Sequence, residues 1–196
     1  MTVPTADGWA TTAWTMDQLD TEALARRSLV WFALGGVIFV ALALRPAVAH
    51  DPFSSWWNLL PFLGLLVGGT LAALVLHEAA HGLAMARYGA RPQFGVGLLQ
   101  GRVPYAYATS PGFRYTQRQF WWVAMMPTVV VNGVLAVLVF SLPWGPYLVL
   151  PAAFHLSSCV GDWAILKMIA EHPAGTLVED TRDGVILHVP PSEPAA

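Results

Sequence analysis

Two long stretches of this chain carry almost no formal charge. From Ser28 to Ala86 the charged side chains are Arg45, Asp51 and Glu78 alone, and from Gln119 to Leu166 there is only Asp162. Stretches this long and apolar predict segments that trade water for lipid. Composition agrees: 11% of the residues are charged and 56% hydrophobic, against roughly 25% charged in a soluble domain. The net charge of -2 points to no polyanionic partner, so no nucleic acid is expected.

Four spans follow: Leu29 to Leu44, extended to Ala49 if Arg45 snorkels, then Leu59 to Ala86, Phe120 to Leu142 and Tyr147 to Leu166. Each is long enough to cross a hydrocarbon layer of about 30 Å as a helix. The chain thus reads as an all-α membrane protein of about four transmembrane helices with a small β-hairpin-like cytoplasmic loop. A polar tail (1–27), with a short amphipathic helix near Met16 to Arg26, precedes the membrane domain (28–170). A C-terminal tail (171–196) follows, with a turn at Arg182-Asp183-Gly184 and a strand from Val185 to Val189. Within the loop 87–118, Phe94 to Leu98 and Val103 to Tyr107 flank Gln100-Gly101-Arg102 as two strands.

The cations orient the bundle. With both termini cytoplasmic, nine of the ten Lys and Arg residues lie inside and only Arg45 outside. Ala47-Val48-Ala49 also fits a signal-peptide cleavage site. That reading gives the first span an unusually long, acidic leader and leaves the direction of the other spans unchanged. The expected location is a prokaryotic plasma membrane, as an integral multi-pass protein.

Late in the second span the sequence reads His77-Glu78-Ala79-Ala80-His81, an H-E-x-x-H pattern. Residues four apart share a helix face, so both imidazoles can turn to one Zn²⁺. Glu78 then lies beside the metal, placed to take a proton from water and return it to a leaving amine. A carboxylate inside a span costs about 2.5–3.5 kcal/mol on insertion scales, so it calls for a task or a partner.

A catalytic zinc takes a third protein ligand. Asp162, His155, Cys159 and Asn132 are the polar candidates at membrane depth. Counted from the cytoplasmic ends at about 1.5 Å per residue, His81 lies ~9 Å deep and His77 ~15 Å, against ~8 Å for Asp162, ~18 Å for His155 and ~21 Å for Asn132. Depth favours Asp162. Charge does too, because Zn²⁺, two neutral histidines and the carboxylates of Glu78 and Asp162 sum to zero. His155 remains the alternative ligand. Asn132 and His155, at a similar level, read either as a pair that holds substrate or water or as an interhelical hydrogen bond. Cys159 reads as a packing residue.

These residues, with Met126-Pro127 in the third span, Gly161-Asp162 in the fourth and the tail Glu179-Asp180-Thr181-Arg182-Asp183-Gly184, resemble the putative membrane zincin peptidase family. That family is similar in turn to site-2 protease-type intramembrane metalloproteases. The resemblance implies a zinc peptidase acting on membrane proteins or peptides, with His77, His81 and Asp162 as ligands and Glu78 as base. One departure is Trp163 after the aspartate, where site-2 proteases carry Leu-Asp-Gly. Two other classes compete with this reading: an ion or proton transporter, and a non-catalytic metal-binding membrane protein. A transporter needs polar groups along its whole path, whereas these cluster in the cytoplasmic half.

Overall fold

Apolar side chains run all the way round the long helices instead of along one stripe, so no single face is set aside for a core. In the computed structural model, which describes residues 3–4, 9–99 and 103–191, α1 covers Thr21–His50, α2 Leu59–Arg87, α3 Gln117–Ser141, α4 Val149–Ser158 and α5 Val160–Ala170. Four helical stretches are long and apolar enough to cross a membrane: Thr21–His50, Trp56–Arg87, Gln117–Ser141 and Gly145–Ala170. Leu29, Val37, Val48, Val67, Val75 and Val137 all point outward.

The chain divides into two units. The helical one comprises Thr21–Ala80 and Met126–Gly161. Its core is built from Phe39, Ala43, Ala73, Val131, Leu135, Val139, Leu148 and Ala152. Small residues bring helices α1 and α4 close: a Cβ on Gly35 would lie 3.2 Å from the Ala153 Cα. Just before α4, Gly145 sits where a Cβ would fall 2.2 Å from the Val139 carbonyl oxygen.

The second unit, Met1–Asp20, His81–Met125 and Asp162–Ala196, holds two antiparallel sheets. β1 (Val3–Pro4), β2 (Ala10–Thr15), β5 (Arg114–Thr116), β6 (Leu177–Thr181) and β7 (Gly184–Val189) form one sheet in the order β1-β2-β7-β6-β5. The chain is therefore mostly helical, as expected, but with a five-stranded sheet besides the expected hairpin, so it is not all-α. The N-terminal stretch pairs with the C-terminal tail, Ala10 opposite Val189 and Thr15 opposite Gly184. Thr11, Thr12 and Thr15 favour extended backbone, and β7 supplies the partner that makes a strand of them. The amphipathic helix expected at Met16 to Arg26 is instead a 3₁₀ turn, Met16–Gln18, followed by the start of α1. Tyr115 is wholly buried here, its hydroxyl 2.6 Å from Ser110 Oγ, and burial pushes its pKa up.

The smaller sheet is the hairpin read from the sequence, β3 (Gln93–Leu99) against β4 (Val103–Thr109). Its turn, Gln100-Gly101-Arg102, lies outside the described residues. Gly95 stands opposite Tyr107 and Gly97 opposite Tyr105. Both tyrosine rings lie across the glycines, closer than a Cβ would allow. Tyr105 also donates to the Arg182 carbonyl at 3.3 Å. The other face of β3, with Phe94, Val96 and Leu98, is exposed.

Candidate metal centre

His77, Glu78 and His81 lie within one uninterrupted stretch of α2. One helical turn separates the two histidines, which puts them on a common face, and both are buried. Glu78 is partly buried beside them.

Each imidazole has one nitrogen already engaged. His81 Nδ1 donates to the Val123 carbonyl in α3 at 2.9 Å, and in the neutral imidazole Nε2 then carries the lone pair. That Nε2 faces Asp162 Oδ1 at 3.4 Å. Two electron-pair donors at this range repel unless a cation or proton lies between them. The distance exceeds the ~2.7–2.9 Å of a charge-assisted hydrogen bond. It equals the edge of a tetrahedron with bonds of ~2.0–2.1 Å, roughly 3.3–3.4 Å, the spacing of two ligands on one zinc. Asp162 stands in the first turn of α5, where the helix dipole favours a carboxylate.

His77 is held by a polar chain. Asn132 Nδ2 donates to the Thr128 carbonyl at 2.8 Å, so its Oδ1 is left to accept from His155 Nδ1 at 3.1 Å. His155 Nε2 must then accept from His77 Nδ1, at 3.2 Å. The chain runs in one direction and makes His77 the donor at Nδ1, which in a neutral imidazole is the Nδ1–H tautomer. In metal sites, such contacts fix the tautomer and aim of a ligating histidine.

Among the described residues, two groups of three have ligand atoms within 4.8 Å of one another: His77 with His81 and Asp162, and His77 with His155 and Cys159. The first offers two neutral nitrogens and a carboxylate, the donor set of a catalytic zinc site. In the second, Cys159 Sγ donates to the His155 carbonyl at 3.3 Å, and His155 already accepts from His77. The donors of the first group fit zinc better.

The sequence named every side chain in this cluster. It did not name Val123, whose contribution is a main-chain carbonyl that no side-chain pattern reveals. Gly82, the residue after His81, was also missed. The Phe94 ring lies so close over it that a Cβ would meet the ring at 2.4 Å, which seats the start of β3 directly on the histidine-bearing helix.

A family model described as "Putative zincin peptidase" matches residues 70–177. That span holds the H-E-x-x-H turn, the hairpin, α3, His155 and Asp162. Neither the curated proteins nor the solved structures give a match.

Proposed function

Because this chain belongs to the putative zincin peptidase family, we propose that it is a membrane-embedded zinc metalloendopeptidase that hydrolyses peptide bonds in membrane-associated or transmembrane proteins. In this reading His77, His81 and Asp162 hold the ion and Glu78 is the general base. The observation that carries it is the convergence of His77, His81 and Asp162, whose ligand atoms lie within 4.8 Å of one another, with His81 Nε2 3.4 Å from Asp162 Oδ1.

A zinc ion bound there supplies a Lewis acid that polarises the scissile carbonyl and acidifies water. Glu78 follows His77 directly on the helix, so its carboxylate can take the proton of the attacking water and pass it to the departing amine. With both ligand imidazoles neutral, the carboxylates of Glu78 and Asp162 would offset the dipositive ion, which keeps the net charge near zero in a low dielectric. His155 and Asn132 hold His77 in its metal-binding tautomer in place of binding the ion.

The substrate must arrive extended, because the carbonyls of a helix are internally bonded. The two-stranded hairpin can take a third strand by edge addition. Its apolar residues Phe94, Val96 and Leu98 are exposed, and Phe94 rests on Gly82 beside His81. The nine-to-one distribution of cations favours an N-in, C-in orientation with this site toward the cytoplasm.

The test pairs metal content with cleavage. Wild type is expected to hold one zinc per chain, and His77→Ala and Asp162→Ala to lose it. Glu78→Gln is expected to keep the zinc while cleavage of a model transmembrane peptide in liposomes falls by about 10²–10⁴-fold. Undiminished cleavage by Glu78→Gln overturns the base assignment. Proton flux that depends on Asp162, without proteolysis, replaces the peptidase by a transporter.

A further inference from the structure

α3 contains the residue least compatible with a helix interior. Pro127 lies inside Gln117–Ser141 and is fully buried. In an α-helix each N–H bonds the carbonyl four residues earlier, so residue 127 would serve Val123. Proline has no N–H, and the Val123 carbonyl is therefore released from the helix ladder. That carbonyl is the one that accepts His81 Nδ1, at 2.9 Å. Val123 and His81 are both buried, so neither the released oxygen nor the imidazole N–H can readily turn to water instead.

We propose that Pro127 is a positioning residue for His81: by withholding a backbone N–H it reserves the Val123 carbonyl for the imidazole, which fixes the His81 tautomer and aims Nε2 at Asp162. This deepens the zinc reading given above and rests on it. With an N–H at 127, the carbonyl would be drawn back into the helix ladder and the His81 contact would have to share it. The two histidines are then aimed by different means: His77 by a chain of side chains ending on Asn132, His81 by a carbonyl that a proline makes available.

The experiment separates the missing N–H from the ring. Zinc affinity of the purified full chain in detergent is measured by competition with a chromophoric chelator for wild type, Pro127→Ala, and a chain carrying the α-hydroxy acid lactate at position 127. Lactate has the side chain of alanine, but its ester oxygen replaces the N–H. Pro127→Ala is expected to weaken zinc binding about 10–100-fold, the range for loss of a group that orients a ligand, and to change the visible spectrum of the Co²⁺-loaded protein. The lactate chain is expected to keep wild-type affinity and spectrum. Equal losses in both variants, or none in Pro127→Ala, overturn the proposal while leaving the zinc site standing. If Pro127→Ala does not fold, the lactate chain decides alone: retained affinity supports the role and lost affinity overturns it. Wild type that binds no zinc removes the site itself, and this inference with it.

Discussion

Replacing His155 by leucine tests how His77 is held and which group of residues holds the ion. In the structure His77 Nδ1 donates to His155 Nε2 at 3.2 Å, and His155 passes the load to Asn132 at 3.1 Å. Leucine is close in size and accepts nothing. In the metal-free protein His77 can shift its proton to Nε2 and escape part of the penalty. In the zinc-bound protein Nε2 is committed and Nδ1 must carry the proton, so the cost falls on the bound state. Burying an N–H without an acceptor costs about 1–3 kcal/mol. At about 1.4 kcal/mol per decade, that weakens zinc binding by roughly 5- to 150-fold. Chelator competition in detergent reads this directly, and circular dichroism checks that the helices are intact. His155→Gln offers an amide oxygen as acceptor and is expected to recover most of the loss. Unchanged affinity in His155→Leu would refute the orienting role. Complete loss of stoichiometric zinc in both His155→Leu and Cys159→Ser would move the ion to the alternative group of His77, His155 and Cys159.

Two further predictions concern the scaffold. Gly145→Ala puts a Cβ 2.2 Å from the Val139 carbonyl oxygen and 2.8 Å from that of Leu138. The backbone must shift, at a cost of about 1–3 kcal/mol or more, read as a lower midpoint of thermal unfolding in detergent; an unchanged midpoint would contradict the close approach. The distribution of cations predicts that a C-terminal fluorescent fusion is bright in the cytoplasm and a C-terminal alkaline phosphatase fusion inactive. The reverse pattern would overturn the orientation.

Much of the candidate site is legible in the sequence, because it is written in local periodicity and depth. A four-residue spacing fixes His77 and His81 on one face wherever the helix lies. Counting along the spans also put Asp162 level with His81, and His155 and Asn132 at neighbouring depths, and His81–Asp162 and His155–Asn132 are found as pairs. The hairpin showed itself through two short apolar runs around a Gly-containing turn. The five-stranded sheet did not. Ala10–Thr15 is too short for alternation to stand out from a polar tail, and its partner Gly184–Val189 lies at the other end of the chain.

What the sequence alone determined is what chain-local geometry encodes: four apolar helices, an H-E-x-x-H face and a hairpin. The tertiary structure decided that His77 Nδ1 meets His155 and His81 Nδ1 a carbonyl in α3, and that the two tails close into one sheet. The physical reason is that helical spacing repeats every few residues and leaves its mark in the sequence. A hydrogen bond to a distant main-chain oxygen, or a strand pairing across the whole chain, depends on where folding brings the backbone and leaves no local pattern.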